Sequence, residues 1–170
     1  MDVKLAPVRE QDLDTLNFLT GDPDGAGDHQ WYGWHDPHRH RRRWEDNGFL
    51  DDDGGVLMIV VDEERAGLLS WRKMVTSRVS YCWAMGVIVA PGFRGRGVGS
   101  RAQRLLVEYL FAHTPVNRIE ATTELTNIGE QRALEKAGFT REGVLRGGGF
   151  RDGAWHDGVL YGIVREDLKG

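Results

Sequence analysis

VIVAPGFRGRGVGSRAQRLL, residues 87–106, is an apolar strand pattern that passes through a glycine-rich turn and straight into a helix. That order makes an anion cradle. Gly95, Gly97 and Gly99 let the backbone approach a ligand and reach positive φ. The first N–H groups of the helix have no intrahelical partner and point outward, and the helix dipole adds positive potential there. Arg94, Arg96 and Arg101 add full charges suited to phosphate oxygens. A pyrophosphate fits this chemistry. The GxxxxGK[ST] spacing of a P-loop is absent, and GxGxxG of the dinucleotide fingerprint is not matched. The plain alternative, a solvated turn, has to explain why strand, turn and helix start coincide.

Outward from this segment, Val98, Ala102, Leu105, Leu106, Tyr109 and Leu110 continue an amphipathic helix that Pro115 stops. VNRIEATT (116–123) predicts a strand, Ile128 to Ala137 a helix with Gly138 at its C-terminus, and Phe139 to Val164 a long hairpin turning at RDGAW. Upstream, the patterns predict a strand at 3–9, a helix at 11–19, a loop at 21–28 and a short helix from Pro37 to Trp44. A turn follows at 51–55, then strands at 56–61, 68–75 and 80–89. Helices alternate with strands only in the second half, which implies an α/β fold with a mixed sheet and helices on both faces.

A chain of 170 residues suits one domain, 1–170, with a core that needs no disulfides. The formal charge of −4 argues against DNA or other nucleic acid binding by the whole surface. Cys82 is the only cysteine, which fits a reducing compartment. No run reaches the roughly 18 apolar residues of a membrane span, and MDVKLAPVRE lacks a signal-peptide pattern. The expected location is the cytoplasm, away from membranes.

Arg94-x-x-Gly97-x-Gly99 after a strand resembles the coenzyme A signature of the GNAT superfamily of N-acetyltransferases. Asn127 with the following GEQRALEKAGF resembles a segment of its ribosomal-protein N-terminal acetyltransferase branch, and GVLRGGGFRDGAWHDGVLYGIVRED resembles that branch's closing hairpin. VKLAPVREQDLDTL resembles its first strand and helix, so the likeness spans most of the chain.

The resemblance implies a mostly antiparallel mixed sheet and acetyl-CoA as co-substrate. Ile88 and Val89 would offer backbone groups to the pantetheine arm, and Arg94, Gly95, Arg96, Gly97, Val98, Gly99 and Ser100 would surround the pyrophosphate. Asn127 would hold the pantetheine or a water near the thioester; as a helix N-cap it has a structural reading too. The reaction would be direct acyl transfer to a primary amine of a small molecule or a protein N-terminus, with an oxyanion donor on the backbone near Val87 to Val89. Dimerisation is common among such proteins.

The chain departs from the family in two places. Leu134 and Glu135 stand where many members carry a tyrosine acid, and Glu130 stands where the branch often has serine. Glu130 reads as a solvated residue of a first helical turn or a partner of the dipole. Candidates for the base are Glu120 and Glu124, two alternate positions of one strand face, with Glu120 also able to pair with Arg118. His156 and Asp157 on the hairpin, and Trp31 and Trp34, are acceptor-side candidates.

Cys82 reads as a small core residue. His35, His38 and His40 lack the partner spacing of a metal site, so no metal is expected. Arg39, Arg41, Arg42 and Arg43 beside Trp44 read either as a solvated helix face or as support for a toxin-like enzyme acting on aminoacyl-tRNA or an aminoacyl nucleotide. A non-catalytic acyl-CoA-binding module is the remaining alternative.

Overall fold

The computed structural model describes residues 1–169. Eight strands form one sheet: β1 (Val3–Pro7), β2 (Leu50–Asp51), β3 (Gly54–Val61), β4 (Glu64–Ser77), β5 (Ser80–Val89), β6 (Arg118–Glu124), β7 (Thr140–Arg151) and β8 (Ala154–Val164). The helices are α1 (Leu13–Gly21), α2 (Pro23–Ala26), α3 (Arg39–Asn47), α4 (Val98–His113) and α5 (Ile128–Ala137). The strand order is β1-β3-β4-β5-β6-β8-β7, with β2 against β3. Every pairing is antiparallel except β5 with β6.

β3 shows why helices occupy both faces. All eight of its residues are buried. Leu57, Ile59 and Val61 join α4 and α5 in one core, and Val56, Met58 and Val60 join α1 in another. The period-two alternation of a strand sends neighbouring side chains to opposite faces, so both faces need a cover. Each buried Leu, Ile or Val contributes on the order of 1.5–3 kcal/mol. Asp12 is buried beneath this frame. It accepts from Arg9 N and Nη2 at 2.9 and 3.0 Å and from Arg65 Nε at 3.0 Å.

Two local predictions needed correction. The loop at 21–28 contains α2, because Asp22 Oδ1 accepts from Asp24 N at 2.8 Å and Pro23 opens the turn. The turn at 51–55 is preceded by β2, so the fourth predicted strand is β5.

Candidate active site

The site begins where the sheet opens. β5 and β6 pair only through Trp83 with Ile119 and Ala84 with Glu120, and beyond these residues the two strands are no longer joined. On the β4 side of β5, Ala90 N donates to Ala66 O at 2.7 Å. Alternation then sends the polar backbone of Val87 and Val89 the other way, into the opening. Their carbonyls are taken by side chains: Gln30 Nε2 donates to Val87 O at 2.7 Å and Arg94 Nε to Val89 O at 2.9 Å. Their N–H groups face the opening as donors. Ile88 lines the cleft as well, but its backbone belongs to the row paired with β4, which corrects the expectation that it serves the ligand through its backbone.

A cleft of about 500 Å³ runs along this edge and over the N-terminus of α4. Gly95 and Gly97 have φ of +72° and +77° with open space around them, the left-handed geometry that the sequence requires of glycine here. Val98, Gly99 and Ser100 form the first turn of α4 beside them, and all three line the cleft. Ser100 Oγ donates to Gly97 O at 3.1 Å.

The arginines divide in role. Arg94 lines the cleft and pins its wall: Nη2 donates to Gly25 O at 2.8 Å while Nε holds Val89. Arg96 is a correction. It donates to Gly92 O at 3.2 Å, lies over the Phe93 ring and is absent from the cleft wall. The cations that replace it are Arg132 and Lys136, one turn apart on α5. Their i, i+4 spacing after Asn127 was the available signal.

A second cavity of about 300 Å³ adjoins the cleft. The two share His29, Gln30, Val87, Asn127 and Glu130 as a common wall. Asn127 caps α5, its Oδ1 accepting from Glu130 N at 3.3 Å, and its side chain borders both cavities. Glu130 is the largest departure from expectation. It is not a fully solvated first-turn residue: it is half-buried, and the loss of solvent pushes its carboxyl up to about 8, against a smaller lowering by the Gln103 amide 3.5 Å away.

Glu124 also lines the second cavity, in a different state. Arg151 Nε and Nη2 donate to its two oxygens at 2.5 and 3.0 Å, and His156 Nδ1 lies 3.2 Å from Oε1. The Arg151 guanidinium holds this carboxyl below its ordinary value, so it is a weak proton acceptor. Asp157 Oδ1 accepts from Gly147 N at 2.7 Å and shapes the hairpin wall. Tyr32, missed from the sequence, also lines this cavity; its ring is largely exposed, and partial loss of solvent beside Glu124 raises its hydroxyl.

Glu120 lies elsewhere. It borders an open groove of about 570 Å³ with Arg43, Arg72 and Asp51, and Arg118 Nε and Nη2 donate to its Oε2 at 3.0 and 2.9 Å. Trp31 and Trp34 line none of these three cavities; their rings pack edge to face at 5.9 Å, and Trp34 is 85% exposed. Arg41 and Arg42 of α3 pair with Glu10 and Asp36, and Arg43 lies over Phe49. Cys82 is buried, and burial raises its thiol. Among the described residues no three His, Cys, Asp or Glu side chains gather as metal ligands. No described helix is long and apolar enough to cross a membrane.

Residues 2–140 match the acetyltransferase (GNAT) domain model, and the chain belongs to that family. It is 33% identical over 82 residues to the probable N-acetyltransferase YjcK of Bacillus subtilis, a stretch covering 48% of this chain and 45% of that protein. The chain thus matches about half the length of this curated relative. The fold is shared with spermidine N-acetyltransferase from Vibrio cholerae, solved with CoA and spermine, at a TM-score of 0.82 and 15% identity over 99% of this chain and 98% of that one. It is shared also with ribosomal-protein-alanine N-acetyltransferase from Brucella melitensis, at a TM-score of 0.80 and 22% identity over 95% of this chain and 99% of that one.

Proposed function

We propose that residues 1–170 work as one acetyl-CoA-dependent N-acetyltransferase domain that moves an acetyl group directly to a primary amine. One observation carries this reading: an anion cradle and a second cavity meet at a common wall, in the gap where β5 leaves β6. Acetyl-CoA would lie along β5 with its pyrophosphate at the start of α4, near Arg132 and Lys136. The N–H groups of Val87 and Val89 are the available donors for the pantetheine amides and for the oxygen that gains charge in the tetrahedral intermediate.

The amine would approach through the second cavity. The ammonium gives one proton to solvent, the freed lone pair attacks the thioester carbon, the C–N bond forms, and the C–S bond breaks as the tetrahedral intermediate collapses. The Glu124–Arg151–His156 set shapes this side, its carboxylate and guanidinium neutralising each other and fixing the wall. The acceptor class is a small molecule or a protein N-terminus. Support for a small amine comes from the neighbour solved with spermine, and support for a protein N-terminus from the ribosomal-protein-alanine neighbour. The toxin-like reading loses ground, since Arg41 and Arg42 are occupied by carboxylates.

The test has two stages. Calorimetric titration with acetyl-CoA should show saturable binding. Thiol release should then be followed with spermidine, kanamycin and short peptides bearing a free N-terminus. Binding without thiol release from any amine would favour the non-catalytic module. Absence of binding to any acyl-CoA would remove the reading.

A further inference from the structure

Acetyl transfer to an amine moves one proton from nitrogen to sulfur. The wall common to the two cavities contains two titratable side chains, His29 and Glu130. His29 sits at the outer rim, where its Nε2 lies 3.4 Å from Thr126 Oγ1. Glu130 sits at the start of α5 beside Asn127, with the fully buried Gln103 of α4 behind it.

We infer that Glu130 is the catalytic residue that relays this proton, giving it to the departing CoA sulfur and taking it back from the acetylated nitrogen. The assignment rests on the acetyl-transfer reading above and adds the group that moves the proton. Glu130 begins as the neutral acid. As the C–S bond of the tetrahedral intermediate breaks, its O–H proton passes to sulfur and the CoA thiol forms. The new carboxylate then accepts the proton that the nitrogen sheds after the C–N bond has formed. Glu130 returns to its starting state, and the products are the N-acetylated amine and CoA. No other reactant is needed.

Two properties of the site support the relay. The first is position, because one carboxyl borders both the donor cleft and the acceptor cavity. The second is proton affinity: burial brings this carboxyl to about 8, close to the roughly 8.5 of an ordinary thiol, so transfer between them is nearly balanced. Arg132 and Lys136 face the cleft from the same helix, Arg94 from the glycine turn, and Asp28 and His29 from the segment after α2. Tyr32 and Asp157 line the second cavity, and Asp157 accepts from Gly147 N. On the acceptor side, Glu124, Arg151 and His156 are already paired with one another. Glu124 therefore cannot substitute, since its guanidinium partner keeps it ionised and weakly basic.

The experiment compares wild type with Glu130→Gln, Glu130→Asp and His29→Gln. Acetyl-CoA binding is measured by calorimetry. Thiol release is measured from pH 6 to 10 with the amine turned over fastest in the screen, or with water as nucleophile if no amine is used. The expected result for Glu130→Gln is a fall in kcat of about 100-fold or more with acetyl-CoA affinity within about threefold of wild type. Glu130→Asp should retain more activity than Glu130→Gln. The wild type should lose rate above about pH 8, and Glu130→Gln should lack that limb. A Glu130→Gln enzyme with kcat within about threefold of wild type and the same pH profile would overturn the relay and leave the transfer reading intact. So would a large loss in His29→Gln alone. A wild type that binds no acetyl-CoA would remove the transfer reading and the relay with it.

Discussion

A carboxyl half withdrawn from solvent leaves a thermodynamic mark that needs no substrate to detect, and Glu130→Gln exposes it. The ordinary value for this carboxyl is 4.5 and its folded value is about 8. Between those pH values the folded chain holds a proton that the unfolded chain has lost. Stability therefore falls as pH rises through that window, opposite to the usual carboxylate. Each pH unit is worth about 1.4 kcal/mol, so the full window sets a ceiling of about 5 kcal/mol. Water drawn into the open cleft lowers the cost, and about 2–3 kcal/mol is the expected effect. Glutamine keeps the shape and cannot ionise. Urea unfolding of both proteins at pH 5.5, 7 and 8.5 should show the variant gaining on the wild type at each step. Contributions from every other titrating group cancel in the difference. Parallel stability curves for the two proteins would refute the burial argument, and the relay would lose its proton-affinity support.

Other substitutions test other parts of the molecule. His40 is held neutral, lowered from 6.5 to about 4 chiefly by burial, with Arg39 adding repulsion. The unfolded chain binds a proton in that window and the folded chain does not, so stability should fall by about 2–3 kcal/mol as pH drops through it; His40→Gln should flatten that slope in pH-dependent urea melts. Arg94→Ala removes donors to Val89 and Gly25 and should weaken acetyl-CoA binding at least about tenfold by calorimetry. Arg96→Ala, outside the cleft wall, should change it less than about threefold; equal effects would refute the division of roles. Asp12→Ala leaves Arg65 without its buried partner and should cost about 3 kcal/mol, a fall in Tm of roughly 6–12 °C by calorimetric scanning.

Local physics made much of this molecule readable in advance. The limits of β5 and α5 match their predicted limits because each is bounded by residues that stop it: Pro91 after the strand, Asn127 and Gly138 around the helix. The glycine cradle was legible for the same reason. Glu130 was not. Its place in a first helical turn implies solvent, and only the packing of α5 against α4 withdraws it partly from water. Arg96 left its expected position because the turn after Gly95 directs it onto Phe93, a matter of three-dimensional path rather than spacing. Trp31 and Trp34 misled because tryptophan content signals buried area without saying which partner supplies it, and here each ring's neighbour is the other.

The two-residue junction of β5 and β6 also divides the chain by order of synthesis. Every strand on one side of the opening lies within residues 3–89, and every strand on the other within 118–164. The first group can pair with itself as it leaves the ribosome, since short turns join β3, β4 and β5 and β1 precedes them in the chain. The wall supplied by Asn127 and Glu130 arrives only when α5 docks. A nascent chain halted before α5 would therefore carry the glycine turn and its arginines without a closed cleft. The capacity to hold an acyl donor should appear late, in one step, as the second group of strands packs against the first.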